Sequence, residues 1–234
     1  MAQGVHQITA DFEAALCKYT GAPYAVALDN ESNAIFLALY YELYVAKTKY
    51  NSDEYWDNKL FIKIPSNTYP SVACEILHVG ATISFKSIPF STPTLSGTKS
   101  RYLTGPYQLT PTKVWDSALR FTYNMYEPET HMCLSFTGPF KHLKLGKGGA
   151  ILTDDEKAYK WFKKARFSGR DEISYHIDDF DKNPVIGWNF YMMPEIAARG
   201  LLLITQFYDS LGEPLHNEDL TLPYPDLSKF KIYK

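Results

Sequence analysis

An α/β fold of three layers, helix over sheet over helix with a mainly parallel sheet, is what this sequence predicts, and three observations lead there. Strand-length apolar runs alternate with helical stripes along most of the chain, the pattern of a sheet covered on both faces. The 234 residues, 45% hydrophobic and 21% charged, suffice to bury one sizeable core. No internal repeat or low-complexity tract interrupts them.

The elements follow in order. Thr9 or Asp11 can cap a first helix that puts Phe12, Ala15, Leu16 and Tyr19 on one stripe and stops before Gly21. Tyr24 to Leu28 reads as a strand. The turn Asp29-Asn30-Glu31-Ser32 is rich in N-cap residue types and precedes an apolar helix from about Asn33 to Ala46. After a polar connection from Lys47 to Lys59, Leu60 to Ile64 is a strand. Thr68-Tyr69-Pro70 opens a helix with proline at its first position, ending at Gly80. Ala81 to Phe85 is the next strand, and Lys86 to Thr112, rich in Ser, Thr, Pro and Gly, reads as loops with one short strand near Arg101 to Leu103. Lys113 to Trp115, Met132 to Phe136 and Ala150 to Thr153 are strands. Asp155 to Phe167 and Pro194 to about Leu211 are helices. The chain divides into a main unit, 1–212, and a short extension, 213–234.

Composition narrows the function classes. A net charge of −2 without a basic stripe gives no attraction for nucleic acid or an acidic membrane. Cys17, Cys74 and Cys133 are far apart with no CxxC, which argues against a disulfide framework or a zinc site and for reduced core thiols. The start, MAQGVHQITADF, has no basic region followed by an apolar run, and no stretch approaches membrane-spanning length. A cytoplasmic location is expected.

The segment LSFTGPFKHLKLGKGGAILTDD, Leu134 to Asp155, places Lys141 between a strand-like run and a glycine turn, on a loop that can face a cleft. Lys144 and Lys147 stand nearby, and a lysine is usually a solvated surface group. The elements Ser135-Phe136, Lys141-His142-Leu143, Gly146-Lys147-Gly148-Gly149 and Thr153-Asp154-Asp155 resemble the active-site lysine region of the DegT-type sugar-nucleotide aminotransferases. The gap from Ser135 to Lys141 is one residue longer than the commonest form. The resemblance implies pyridoxal 5′-phosphate held as a Schiff base on Lys141, and an aspartate-aminotransferase-like large domain.

Four further segments bear on it. Val114-Trp115-Asp116-Ser117-Ala118 puts an acid at the carboxyl end of a strand, where open α/β sheets place ligands. The resemblance implies that Asp116 pairs with the pyridine nitrogen of the cofactor; the alternative is a residue that caps a turn. Pro65-Ser66-Asn67-Thr68-Tyr69 resembles the family's P-[ST]-x-T-[FYW], which implies Tyr69 against the cofactor's face, although one tyrosine among 18 more often simply packs. Asn30, Glu31 and Ser32 align with the family's S-G-T phosphate cradle, with Ser135 a further phosphate ligand by the same resemblance. Helix N-terminal N–H groups suit a phosphate, yet Glu31 stands where glycine is expected and Asp29 lies just before it. Capping of the helix by Asp29 or Asn30 is the alternative. Gly187 to Ala198 resembles the family's G-x-N-[YF]-R-M-x-[ED]-[LIM]-x-A-A, which implies that Asn189 reaches the cofactor of a neighbouring subunit in a homodimer with shared sites; Tyr191 replaces the usual arginine.

Leu119 falls where the family has Gln or His after D-A-A, and Lys141 is retained where sugar-dehydrating relatives carry His. The likeness runs from about Phe12 to Leu211, in a chain shorter than ordinary members, lacking a helical unit between Gly80 and Asp116 and most of the small C-terminal domain. The function implied is transfer of an amino group from an amino acid donor, glutamate or glutamine, to a keto-sugar nucleotide or similar keto substrate. Arg120 and His142 have no firm role. The competing reading is a catalytically lapsed relative acting in structure, regulation or ligand sensing.

Overall fold

Alternate residues of the central strands face two different helix layers. In a computed structural model of the chain, which describes residues 6–50, 54–56, 59–87, 102–172, 181–209 and 219–234, the strands are β1 (Tyr24–Leu28), β2 (Tyr55–Trp56), β3 (Lys59–Pro65), β4 (Thr82–Lys86), β5 (Tyr102–Thr104), β6 (Tyr107–Gln108), β7 (Val114–Asp116), β8 (His131–Ser135), β9 (Gly149–Thr153) and β10 (Thr221–Pro223). The helices are α1 (Gln7–Thr20), α2 (Glu31–Tyr40), α3 (Pro70–His78), α4 (Glu156–Ala165) and α5 (Pro194–Asp209). A π-helical turn, Tyr41–Val45, continues α2. Val26, Leu28, Cys133 and Ile151 pack with α2, α3 and α4. Ala25, Ala27, Met132, Leu134, Ala150 and Leu152 pack with α1 and α5. A period of two in side-chain direction therefore builds the three expected layers from one sheet.

The sheet itself is mixed, which corrects the expectation of mainly parallel strands. Its order is β1-β9-β8-β7-β6. Only β7 and β8 pair in parallel; β1 with β9, β9 with β8, and β6 with β7 are antiparallel. The reason lies in the connections. Parallel neighbours need a crossover, whereas β8 returns to β9 through the loop 136–148 and β6 to β7 through a tight turn, neither containing a helix. A second sheet, β2-β3-β4, contains the parallel pair β3 and β4 joined by α3.

Several local signals operate as read, but α1 begins at Gln7 with His6 as its N-cap, ahead of the expected Thr9 or Asp11. Gly21 ends α1 in the left-handed region, φ 79°, and Pro70 occupies the first turn of α3. Asp155 caps α4, accepting from the Lys157 and Ala158 amides. The expected strand near Arg101 to Leu103 is β5; Arg101 itself, the stretch 88–100 and the boundary at 212 lie outside the described residues. In the short extension, β10 pairs antiparallel with β5 and Asn67 bridges Asp226.

β1 is an edge strand, bridged at Leu28 by Tyr191, and charged side chains close the edge around Ala27. Glu13 of α1 accepts from the Ala27 amide at 2.8 Å. Arg166, fully buried after α4, donates to the Ala27 carbonyl, Glu13 and Glu172. Lys163 adds bonds to Glu13 and Glu172 at 3.0 and 3.2 Å. An edge whose polar groups would otherwise be unpaired is thereby satisfied.

His131, at the start of β8, is buried, with Nδ1 3.0 Å from the Thr153 hydroxyl and ring edges against Tyr41 and Phe162. Burial pushes its pKa down to about 4 from 6.5; Asp155 opposes this and Lys113 adds to it. Below 6.5 the unfolded chain takes up a proton that the folded chain refuses, so stability falls as pH drops from 6.5 towards 4. A shift of this size corresponds to about 3 kcal/mol. Urea unfolding of wild type and H131N between pH 7 and 4.5 checks it: the wild type loses that stability beyond whatever the variant loses, and parallel curves would refute the assignment.

Candidate active site

Strand direction decides where the site forms. Because β9 runs against both β1 and β8, and β8 runs with β7, the carboxyl ends of β1, β7 and β8 lie at one edge of the sheet. Asp116 ends β7, Ser135 ends β8, and β1 leads through Asp29 and Asn30 into α2. Ligands of open α/β sheets sit at such an edge. Here it opens into a hollow of about 730 Å³ lined by Asn30, Glu31, Ser32, Tyr69, Ser135 and Lys141, with Leu222, Pro223 and Tyr224 on another wall. Six of the predicted site residues thus meet in one cavity.

The 136–148 loop aims Lys141. Leu143 and Leu145 are buried in the core, and the Phe136 amide donates to the Gly148 carbonyl while Leu145 donates back to Phe136. Those anchors leave Lys144 and Lys147 exposed and Lys141 half-buried. Its Nζ donates to the Ala118 carbonyl at 2.7 Å. The Ala118 amide donates to Asp116 Oδ1 at 2.9 Å. One residue, Ala118, therefore ties the amine to the buried acid.

Asp116 is 4% exposed and lies behind the hollow rather than on its lining. Tyr107 stands beside it, 2.6 Å from the Thr68 hydroxyl; burial first, then the Asp116 charge, raises the Tyr107 phenol well above its ordinary value. Glu31 turns inward as well. Burial holds its carboxyl well above the usual carboxylate range, the Asp116 charge and a hydrogen bond with Asp116 add to this, and Lys141 and Ser135 oppose it. Glu31 Oε1 is buried without a hydrogen-bond partner among the described residues.

The start of α2 is held tightly. Asn30 is the N-cap, its Oδ1 accepting from the Asn33 amide at 2.8 Å, so the capping alternative is realised while Asn30 also lines the hollow. Asp29 turns away and accepts from Asn33 Nδ2 at 2.7 Å. Ser32 donates to Ser71 at 2.7 Å. Gly149 lets β9 approach: a Cβ there would lie 2.5 Å from the Glu31 nitrogen.

Tyr69 is 57% exposed, at the mouth, with its ring 6.0 Å from that of Tyr224 and nearly edge-on to it. Asn189 is not brought to this hollow. It lines a separate one of about 260 Å³ with His6, Phe167, Ser168, Arg170 and Tyr191. Leu119 is buried in the core, away from the cavity.

Residues 4–98 match the family model described as the DegT/DnrJ/EryC1/StrS aminotransferase family. That stretch is less than half of the chain. It contains Asn30, Glu31, Ser32 and Tyr69; Asp116, Ser135, Lys141 and Asn189 lie beyond it, where the likeness is one of fold. Helicobacter pylori PseC, an aminotransferase involved in pseudoaminic acid biosynthesis, superposes with a TM-score of 0.65 at 15% identity, covering 97% of this chain and 79% of that one. NtdA from Bacillus subtilis with bound cofactor PMP gives 0.58 at 18% identity, covering 84% and 47%. A variant of GDP-4-keto-6-deoxymannose-3-dehydratase with bound GDP-perosamine gives 0.59 at 15% identity, covering 87% and 62%. This chain spans less than two thirds of the length of the latter two. No curated protein matches the sequence.

Sequence reasoning missed Tyr107, Leu222, Pro223 and Tyr224. Tyr107 sits in a region read as loop, and a three-residue strand near the chain end carries no periodicity that could have announced a cavity wall.

Proposed function

We propose that the chain is a pyridoxal-phosphate-dependent aminotransferase that moves an amino group from glutamate or glutamine to a keto-sugar nucleotide. The observation carrying this reading is the junction at Ala118, where Lys141 Nζ and Asp116 Oδ1 hold the two ends of one residue beside one hollow. The donor set suits the cofactor: an amine, a buried acid, the Ser32 and Ser135 hydroxyls, and an aromatic ring. When bound, pyridoxal 5′-phosphate supplies an aldehyde that condenses with amines and a ring that takes up electrons. Asp116 would accept a hydrogen bond from the ring nitrogen, Ser32, Ser135 and the first amides of α2 would hold the phosphate, and Tyr69 would cover the ring face. Lys141 Nζ, once free, would act as the base that removes the donor's α-proton and returns it to the acceptor carbon. Asn189 would serve the site of a second copy, which makes the active form a homodimer.

A sugar nucleotide as acceptor is supported by the neighbour with bound GDP-perosamine. A cytoplasmic location rests on three free cysteines; no helix among the described residues is long and apolar enough to cross a membrane. The test is transfer: glutamate or glutamine with a heavy-isotope amino group, the cofactor and a keto-sugar nucleotide should give an amino sugar carrying the label, and its absence with every acceptor tried would favour the lapsed relative.

Tyr224 forms the wall facing Tyr69, so Y224A should raise KM for the acceptor roughly tenfold while leaving kcat within a factor of about two, the mark of lost uniform binding. Steady-state kinetics decide it. An unchanged KM removes the extension from substrate binding.

A further inference from the structure

Arg120 does not line the hollow, yet it grips a segment that does. It follows the junction residue Ala118 by two positions, on the loop that leaves β7. Its guanidinium forms a forked pair with Asp219, Nε to Oδ1 at 2.7 Å and Nη2 to Oδ2 at 3.2 Å. Alongside, the Leu220 amide donates to the Leu119 carbonyl at 2.8 Å. Asp219 and Leu220 lead directly into β10, whose Leu222 and Pro223, with Tyr224 next in the chain, form one wall of the hollow. The far end of that wall is fastened to the turn before Tyr69. Asn67 Nδ2 donates to the Tyr224 carbonyl at 2.9 Å, and the Leu227 amide donates to the Ser66 carbonyl at 2.8 Å. The wall therefore hangs between the loop whose Ala118 carbonyl receives Lys141 and the turn that presents Tyr69.

We propose that Arg120 is a positioning residue for the acceptor: through Asp219 it holds Leu222, Pro223 and Tyr224 across the hollow, so that the pair sets acceptor affinity without entering the proton transfer. This rests on the aminotransferase reading made above. A forked guanidinium–carboxylate pair fixes direction as well as distance. With side chains 33% and 24% exposed, the pair adds little to global stability, and its effect falls on the local order of the segment it tethers. That segment needs a tether. β10 is three residues long and pairs with a strand of equal length, β5, and a two-stranded ladder of that size is marginal by itself. The wall presents no charged side chain to the hollow, so what it receives is an uncharged face of the acceptor. Tyr69 and Phe140, large rings left exposed at the same hollow, extend that surface, as befits one made to be covered by a ligand.

Kinetics and amide hydrogen exchange of wild type, R120M, D219A and the double variant, each supplied with pyridoxal 5′-phosphate, test this. Each single variant should raise KM for the keto-sugar nucleotide about tenfold, while kcat and the half-reaction with the amino donor alone stay within about twofold. The double variant should be no worse than either single one, because the first change already breaks the pair. R120K, which keeps the charge without the fork, should fall between wild type and R120M. Exchange should quicken in the peptide covering 219–224 and stay unchanged in β1 and β8, with melting points within about 4 °C of wild type. An unmoved KM in R120M, or KM effects that multiply in the double variant, would overturn the proposal. So would equal losses in both half-reactions, which would make Arg120 a support for Asp116 and Lys141 instead. A wild type that takes an amino group from no donor would strike the aminotransferase reading beneath it, and exchange at 219–224 unaltered by R120M would refute the tether in either case.

Discussion

Replacing Lys141 with alanine should lower kcat for amino transfer at least about 10³-fold, because one amine both carries the cofactor and moves the proton, and a positioned base alone contributes about 10²–10⁴-fold. The substitution should leave folding intact. Lys141 is half-buried, and its hydrogen bond is to a carbonyl that can turn to water; the loop is held by Leu143, Leu145 and the Phe136–Gly148 bond. K144A and K147A, altering exposed lysines on the same loop, should keep kcat within about twofold. The comparison of the three variants under saturating donor and acceptor is the measurement. K141A retaining a tenth of wild-type kcat would show that the amine is dispensable.

The second large effect is on stability. R166M should cost about 3–5 kcal/mol, since it strips the guanidinium from Glu13 and from the Ala27 carbonyl and leaves a carboxylate buried without its main partner. For a chain of this length that corresponds to a melting point lower by roughly 6–20 °C. The double variant E13Q/R166M should recover part of the loss, because the stranded charge goes with its partner. Denaturant unfolding of both variants checks the pair. A loss under about 1 kcal/mol in R166M would mean that Lys163 alone satisfies Glu13.

Local chemistry was legible in the chain wherever one residue type has one conformational use. Tyr24 to Leu28 is a strand with the expected limits, Gly21 closes α1, Pro70 opens α3, and Asp155 caps α4. Strand direction was not legible, because apolar runs of four or five residues look alike in either orientation, and β8 to β9 reverses without a helix. The candidate site divides in the same way. Lys141, Asp116, Ser135 and the α2 start stand at strand ends and a glycine turn, where the motifs of the family resemblance pointed. Tyr107 and Tyr224 arrive from segments 39 and 155 residues after Tyr69's neighbour Thr68 and Tyr69 itself in sequence, tied in by the Thr68 bond and the Tyr69 ring contact, and nothing local marks them. Glu31 is the instructive residue. The resemblance marks an acid in a glycine's place, but only packing shows that it lines the hollow.

The most direct measurement is peptide mapping after borohydride reduction of the protein incubated with pyridoxal 5′-phosphate. A single reduced label on the peptide bearing Lys141, lost in K141A, is the predicted result. A label on Lys144, Lys147 or any other lysine, with Lys141 unmodified, would contradict the account.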